Sequence, residues 1–214
     1  LNNKYVHNYG WSIILLTIII NFLMLPLKFT SLKSMRAMSA LQPEMKKIND
    51  KYAGMGMRDP RKQKQQEEVM ALYKLHGVNP ASGCVPMLLQ IPFFFAYYKV
   101  LSVSIEMRGA HWLWVSDLSR PEDLAIRVLP LLMIASQFVM QKMTPNTSGD
   151  PAQQKMLLMM PLFLGFMFYG QSSGLVLYWF TGNLVGILQQ WFFNRMAPAP
   201  APATVPAAKR NPKK

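Results

Sequence analysis

The chain has 214 residues, of which 51% are hydrophobic. Only 15% are charged, whereas soluble domains typically carry about 25% charged residues. Lys and Arg outnumber Asp and Glu by 23 to 10, which gives a formal net charge of +13. The single cysteine excludes a disulfide framework, and the three scattered histidines lack the spacing of metal ligands. This composition indicates a membrane protein with basic segments, and we expect no metal or other cofactor.

Long uncharged stretches determine the predicted fold class, which is all-α. A membrane-spanning helix needs about 20 mostly apolar residues. Residues 5–27 contain no charge, and neither do the 39 residues 156–194, which a Gln-Ser-Ser-Gly turn divides in two. We therefore predict a polytopic membrane protein with five transmembrane helices, near residues 11–28, 84–104, 127–143, 155–171 and 175–195.

The distribution of Lys and Arg predicts the orientation of the chain. Eighteen of the 23 lie in three segments that fall on one side of the predicted membrane, namely residues 28–82, the segment after the third predicted helix, and the C-terminal tail. The positive-inside rule assigns that side to the cytoplasm. The N-terminus of the chain is then outside and its C-terminus is cytoplasmic. Trp11, Trp112, Trp114 and Trp191 are predicted to lie at the two membrane interfaces.

Residues 30–82 are predicted to form a cytoplasmic helical hairpin. Apolar residues recur at steps of three and four over residues 31–52, with a kink at Pro43. The second helix is capped by Asp59 and stopped by Gly77. A basic hairpin suits an acidic or polyanionic partner such as the ribosome or a targeting factor, with anionic lipid headgroups as the alternative. Its candidate contact residues are Met55, Met57, Arg58, Arg61 and Lys62.

The chain is thereby divided into four parts. Residues 1–29 are an outer N-terminal segment with the first transmembrane helix, and residues 30–82 are the hairpin. Residues 83–195 hold the other four transmembrane helices, with an outer loop at residues 105–126. Residues 196–214 alternate Ala and Pro before a basic cluster, and we predict a disordered cytoplasmic tail.

Large polar side chains are concentrated in the cytoplasmic half of the predicted membrane region. On a helix, Thr17, Asn21 and Lys28 fall within about 40° of one another. Hydrogen bonding between helices, at about 0.6 kcal/mol per contact, explains any single residue of this kind. The one-sided distribution of the whole set favours a wet cavity that opens to the cytoplasm. Its candidate lining residues are Thr17, Asn21, Lys28, Gln90, Gln137, Gln141, Trp179, Asn183 and Gln190.

The sequence does not suggest an enzyme. No paired carboxylates lie within a predicted span, and no phosphate-binding P-loop pattern occurs. A small-molecule or ion transporter is the alternative function, although it would need paired charges or interrupted helices at the middle of the membrane.

Several short motifs recur along the chain at positions that together are specific. They are Pro-Leu at 26–27, LQP at 41–43, MALYK at 70–74, VNP at 78–80, GCVPMLLQIP at 83–92, QKM at 141–143, DPAQQK at 150–155, SGLVLYW at 173–179 and Asn-Leu at 183–184. These motifs resemble those of the YidC/Oxa1/Alb3 family of membrane protein insertases, and in particular its bacterial members. The resemblance covers nearly all of residues 8–195.

The resemblance implies a bacterial inner-membrane insertase with five core helices around a hydrophilic groove. Such a groove admits hydrophilic segments of nascent membrane proteins and releases their hydrophobic segments into the bilayer. The implied partners are nascent membrane proteins, the translating ribosome and phospholipid, with the Sec translocon and the signal recognition particle receptor as further candidates. The basic tail is implied to contact the ribosome through Lys209, Arg210, Lys213 and Lys214.

Two departures from the family pattern stand out. Gram-negative members have an earlier helix and a large periplasmic domain, and this sequence contains neither. Because the chain starts with Leu1 and not with Met, we expect it to be a fragment or a mature form with preceding sequence. Many members carry a groove arginine five residues before the Pro-Leu pair, where this chain has Asn21. Lys28 is then the candidate to supply a charge at the mouth of the groove. Thr17, Gln90 and Trp179 match groove-lining positions of the family.

Overall fold

The computed structural model describes residues 8–54, 59–83, 85–103, 107–145 and 151–196. Within these ranges the chain forms helices and no β-strand, so the predicted all-α class is confirmed. The eight α-helices are α1 (Tyr9–Leu23), α2 (Leu25–Ala40), α3 (Gln42–Lys51), α4 (Arg61–Leu75), α5 (Val85–Val103), α6 (Val128–Met143), α7 (Pro151–Phe168) and α8 (Ser173–Met196), and a short 3-10 helix spans Pro80–Gly83.

No single helix in the described ranges has both the length and the hydropathy of a membrane span. Helices α1 and α2 meet both criteria only as a pair, and this pair is bent by 60°. The apolar helices Val128–Met143 and Gln154–Phe168 are shorter. The prediction of one helix over residues 11–28 is therefore wrong, and the count of five transmembrane helices stays a prediction.

The bend between α1 and α2 lies at Met24. Pro26 occupies the first turn of α2, where its missing N–H and its ring prevent α1 from continuing. The amide of Met24 donates to the carbonyl of Ile20 at 3.0 Å and so closes α1. The amide of Lys28 donates to the carbonyl of Met24 at 3.0 Å and opens α2. Proline thus fixes the direction in which the chain leaves α1.

Helix α8 is the central element of the bundle. It packs against α1 and α6 and also contacts α5, while α7 packs against α6. Helix α2 contacts α5 and the 3-10 helix. The main apolar core lies where α8 begins, with Leu129, Met133, Phe168, Leu175 and Leu177 at most 1% exposed. Burial of these side chains holds α6, α7 and α8 together at that end of the bundle.

Helices α2, α3 and α4 form the predicted hairpin, whose cytoplasmic location stays a prediction. Met38, Leu41, Met45 and Tyr73 pack together in a second apolar cluster. The first helix is interrupted at Leu41, two residues before the predicted kink at Pro43, because a proline fits only the first turn of a new helix. Gly77 has the positive φ of +62° that is typical of a residue ending a helix.

Asp59 stands two residues before α4, close to its predicted place at the start of that helix. Its Oδ1 accepts a hydrogen bond from the amide of Arg61 at 2.9 Å, and its Oδ2 lies 2.8 Å from the Arg61 guanidinium. The hydrogen bond from the Arg61 side chain lowers the pKa of Asp59. On the other side of the hairpin, Lys51 pairs with Glu68 at 2.6 Å.

Residues 107–127 fold over one end of the bundle, and we call this segment the cap. The cap carbonyl of His111 accepts a hydrogen bond from Asn8 at 2.9 Å, and that of Arg120 accepts one from the amide of Ser173 at 2.8 Å. The Glu122 side chain accepts from the amide of Leu129 at 2.9 Å. The cap therefore connects the starts of α1, α6 and α8.

Trp112 is buried in the cap against α1, and its predicted depth at the membrane interface stays a prediction. The residue is only 6% exposed, and its ring lies over Gly10 so closely that a Cβ there would come within 2.2 Å of it. Trp11 and Trp114 remain 50% and 43% exposed.

Candidate polar site in the helix bundle

The structure joins three of the predicted polar residues on α1 and α2. The Asn21 amide donates to the carbonyl of Thr17 at 2.8 Å. The Lys28 ammonium donates to Asn21 Oδ1 at 2.5 Å and to Gln189 Oε1 at 3.4 Å. Gln189 in turn donates to the carbonyl of Asn21 at 3.2 Å. We call Asn21, Lys28 and Gln189 the cation cluster, since it holds one ammonium group between two amides.

The charge of the cation cluster is not balanced by a carboxylate in the described part of the chain. The ion pairs found there join Lys51 to Glu68, Arg61 to Asp59 and Arg120 to Asp117, all of which lie in the hairpin or the cap. Asn21 and Gln189 are each 9% exposed, and Lys28 is half-buried. A poorly hydrated ammonium with only neutral acceptors attracts an anion more strongly than one in open water.

A second polar group connects α6 with α8. The Trp179 indole N–H donates to Gln137 Oε1 at 3.4 Å. One turn further along α8, the Asn183 amide donates to Ser136 Oγ at 3.0 Å. Phe94 and Phe168 flank Trp179, with ring centroids 5.8 and 4.9 Å away. Gln137, Trp179 and Asn183 are all half-buried, so this group lies at the edge of the packed core.

Gln90 brings α5 into contact with α8. Its amide donates to the hydroxyl of Tyr178. Tyr178 stacks on Tyr97 with ring centroids 4.0 Å apart, and the Tyr97 hydroxyl lies 3.5 Å from Thr17 Oγ1. Helix α5 is thus joined to α8 through Gln90 and to α1 through Tyr97.

Gln190 belongs to a separate junction at the far end of the bundle. Its amide donates to Asn194 Oδ1 at 2.9 Å, and the Arg36 guanidinium donates to the same oxygen at 2.7 Å. Asn194 also donates to the carbonyl of Met143 at 3.3 Å. Gln190 is 1% exposed, and within the described ranges its Oε1 has no hydrogen-bond partner. This junction fixes the base of the hairpin to the ends of α6 and α8.

The other predicted site residues do not join these groups. Gln141 donates to the carbonyl of Leu157 and so links α6 to α7. Arg61 is exposed and paired with Asp59, and Lys62 is half-buried on the hairpin. The remaining hairpin and tail contacts lie outside the described residues, namely Met55, Met57, Arg58, Lys209, Arg210, Lys213 and Lys214.

A surface pocket of about 450 Å³ lies apart from the polar groups, between the hairpin and the start of α7. It contains none of the predicted groove residues. Its lining residues are Ser39, Gln42, Pro43, Lys46, Asn49, Asp50 and Gln154.

Sequence reasoning did not select Gln189, Tyr178 or Arg36 as site residues. Gln189 lies about 100° around the helix from Gln190, which was the predicted lining residue on that part of α8. Tyr178 stands inside the SGLVLYW motif beside Trp179, and that position was the available signal. Arg36 was counted among the hairpin charges, and only the packing of α2 on α8 brings it to Asn194.

The two ends of the bundle differ in polarity. At the cap end, Ile13, Trp112, Val115 and Leu118 are buried, and the apolar core continues to Leu177. The cation cluster and the Gln190 junction lie toward the opposite end, where α1 and α8 finish. Apolar side chains cover much of the outer surface, as Phe166 at 86% and Phe163 at 68% exposed illustrate. Apolar outside surfaces with amides between the helices are typical of integral membrane proteins.

The family model of the 60Kd inner membrane protein matches residues 1–200. The chain belongs to this family of bacterial inner-membrane proteins, which includes the YidC insertases.

Several curated relatives are similar over most of this chain. The membrane protein insertase YidC of Wolinella succinogenes is 46% identical over 193 residues, which are 90% of this chain and 34% of the relative. That of Cupriavidus pinatubonensis is 48% identical, with 90% and 33% covered. That of Campylobacter jejuni is 43% identical, with 91% and 35% covered. The chain thus spans about one third of the length of these relatives.

A solved structure has the same fold. The crystal structure of an active YidC insertase with its first transmembrane domain resolved superposes with a TM-score of 0.64 at 31% sequence identity. The match covers 85% of this chain and 41% of that one.

Proposed function

We propose that this chain is the membrane core of a membrane protein insertase. The observation that carries the proposal is the cation cluster, in which Lys28 is held by Asn21 and Gln189 without a carboxylate among the described residues. The cluster supplies a site for the acidic or polar groups of an entering peptide. The curated relatives, whose names describe membrane protein insertases, support the same function.

In this proposal a hydrophilic segment enters between the helices from the polar end of the bundle. The groove is lined by Asn21, Lys28, Gln90, Gln137, Trp179 and Asn183, together with Gln189. Of the other predicted lining residues, Thr17 is 1% exposed, Gln141 links α6 to α7, and Gln190 lies in its separate junction. Amide and hydroxyl groups replace part of the water that the segment loses. The adjacent hydrophobic segment then enters lipid, and its transfer at about 0.8 kcal/mol per buried CH₂ offsets the cost of moving a short polar stretch.

The topology and partners form part of the same proposal. The chain crosses the membrane five times, with α1 beginning outside and α8 ending in the cytoplasm. The apolar core beneath the cap closes the outer end of the groove. The basic hairpin and tail reach the ribosome, and the Sec translocon and signal recognition particle receptor are further partners. The chain provides a binding surface and not a catalytic centre.

Insertion into liposomes tests the proposed function. We expect liposomes that contain only this chain to insert a short two-span protein with an acidic N-terminal segment, as measured by protease protection of its lumenal loop. Empty liposomes and liposomes with an unrelated helical membrane protein are the controls. Insertion no greater than in the controls would overturn the proposal, and uptake of a small solute in its place would favour a transporter.

A further inference from the structure

The cap contains a tight turn with an unusual composition. Trp112 and Val115 exchange two backbone hydrogen bonds of 2.9 and 2.8 Å, so that Leu113 and Trp114 form a two-residue loop. Leu113 has a φ of +49°, in the left-handed region. Glycine, asparagine and aspartate are favoured at such positions, since a side chain like leucine is strained there. Leu113 is nevertheless 64% exposed and Trp114 43% exposed.

The residues on either side of this exposed pair are buried against the bundle. Val115 is 1% exposed, and Trp112 is buried over Gly10 of α1. The indole N–H of Trp114 donates to Glu122 Oε1 at 2.7 Å, while 43% of the residue stays exposed. A strained turn persists when its surroundings fix it, and it then points to a function of the residues that it presents.

The exposed turn continues an apolar surface that begins on α1. The ring of Trp11 lies 5.8 Å from that of Trp112, which lies 5.7 Å from that of Trp114. Trp11 and Phe22 lie about 20° apart around α1 and are 50% and 59% exposed. The outward face of α1 thus leads directly to Leu113 and Trp114.

We propose that Leu113 and Trp114 are a lipid anchor that inserts into the headgroup–acyl boundary on the side of the membrane where α1 begins. Tryptophan is enriched at this boundary because its ring is apolar and its N–H is polar. Phospholipid covers the turn, and not another protein segment. The reason is that the turn extends the exposed face of α1 in a chain that belongs to a family of inner-membrane proteins. The anchor holds the cap at a fixed depth. The inference rests on membrane residence, which the family shows, and not on insertase activity.

Site-specific fluorescence tests the anchor in the full chain. In a Cys84→Ser background, Leu113→Cys is labelled with an environment-sensitive fluorophore and reconstituted into liposomes with or without nitroxide lipid. Phe166→Cys is the lipid control, since that side chain is 86% exposed on α7, and Glu67→Cys is the exposed control on the hairpin. We expect nitroxides in the upper acyl chain to reduce the Leu113→Cys emission at least twofold, and aqueous iodide to have little effect.

Two results would overturn the proposal that Leu113 and Trp114 are a lipid anchor. Quenching by iodide as strong as at Glu67→Cys would place the turn in water, and protection from both quenchers would show that protein covers it. Leu113→Asn provides a second measurement, because asparagine tolerates the left-handed backbone. We expect its midpoint of thermal unfolding in detergent to equal or exceed that of the parent chain, whereas a lower midpoint would indicate that Leu113 packs against protein.

Discussion

Lys28→Met is expected to reduce insertion of a substrate with an acidic hydrophilic segment about tenfold or more. The substitution removes the ammonium that Asn21 and Gln189 hold in the bundle. A hydrogen bond to a charged group contributes about 1.5–3 kcal/mol, and about 1.4 kcal/mol corresponds to a factor of ten. A substrate whose segment lacks acidic residues is expected to lose much less. The measurement is the inserted fraction of both substrates in liposomes.

Two further variants separate the charge of Lys28 from its structural role. Lys33→Met removes an exposed lysine from the same helix and is expected to leave the inserted fraction of both substrates unchanged. Asn21→Arg added to Lys28→Met returns a cation to the cluster and is expected to restore insertion of the acidic substrate. Equal losses for both substrates in Lys28→Met, without rescue by arginine, would show that Lys28 only supports the fold.

Glu122→Ala is expected to lower the free energy of unfolding by about 2–5 kcal/mol, because it leaves the buried amide of Leu129 and the partly buried indole N–H of Trp114 without their acceptor. The Glu122 side chain accepts hydrogen bonds from the Trp114 indole at 2.7 Å and from the Leu129 amide at 2.9 Å. It therefore connects the cap to the first turn of α6, and it is only 4% exposed. Equilibrium unfolding in mixed detergent micelles measures the effect.

Asp123→Ala is the matched control for Glu122→Ala. Asp123 is the next residue, is exposed and accepts a hydrogen bond from Ser116 at the surface. Its substitution is expected to change the free energy of unfolding by less than about 0.5 kcal/mol, as is usual for surface residues. If Glu122→Ala and Asp123→Ala changed the free energy of unfolding equally, the stability of the cap would not depend on the Glu122 side chain.

Local sequence signals predicted the hairpin well. Asp59 and Gly77 mark the two ends of its second helix. Both could be recognised from the sequence because each acts on backbone atoms only a few residues away. Pro43 marked the interruption of the first helix for the same reason, although the break falls at Leu41. The position of the helix ends follows from these residues alone, whereas the side of the membrane on which the hairpin lies does not.

Contacts between distant residues could not be predicted in this way. The bend at Met24 was missed because the apolar stretch continues through it, and hydropathy carries no information on direction. The burial of Trp112 depends on the space above Gly10, 102 positions earlier in the chain. Glu122 was one of several acids in a predicted loop, and only the fold places its side chain at the first turn of α6.

The candidate site was predicted in part. Helical periodicity placed Thr17, Asn21 and Lys28 on one face, and the structure brings the latter two into contact. Helical periodicity could not decide whether Gln189 or Gln190 of α8 faces Asn21 and Lys28, because that depends on how α8 is rotated about its own axis in the bundle. The structure places Gln189 there and directs Gln190 to Asn194.

The accessibility of the groove to water tests the central claim most directly. In a Cys84→Ser background, Gln90→Cys and Gln137→Cys replace half-buried amides, and Leu129→Cys replaces a side chain that is 0% exposed at the cap end. A membrane-impermeant maleimide is added from the cytoplasmic side of native membranes. The account predicts that the first two variants react and that Leu129→Cys is protected. Protection of all three cysteines would contradict it, since the bundle would then be dry and would offer no path for a hydrophilic segment.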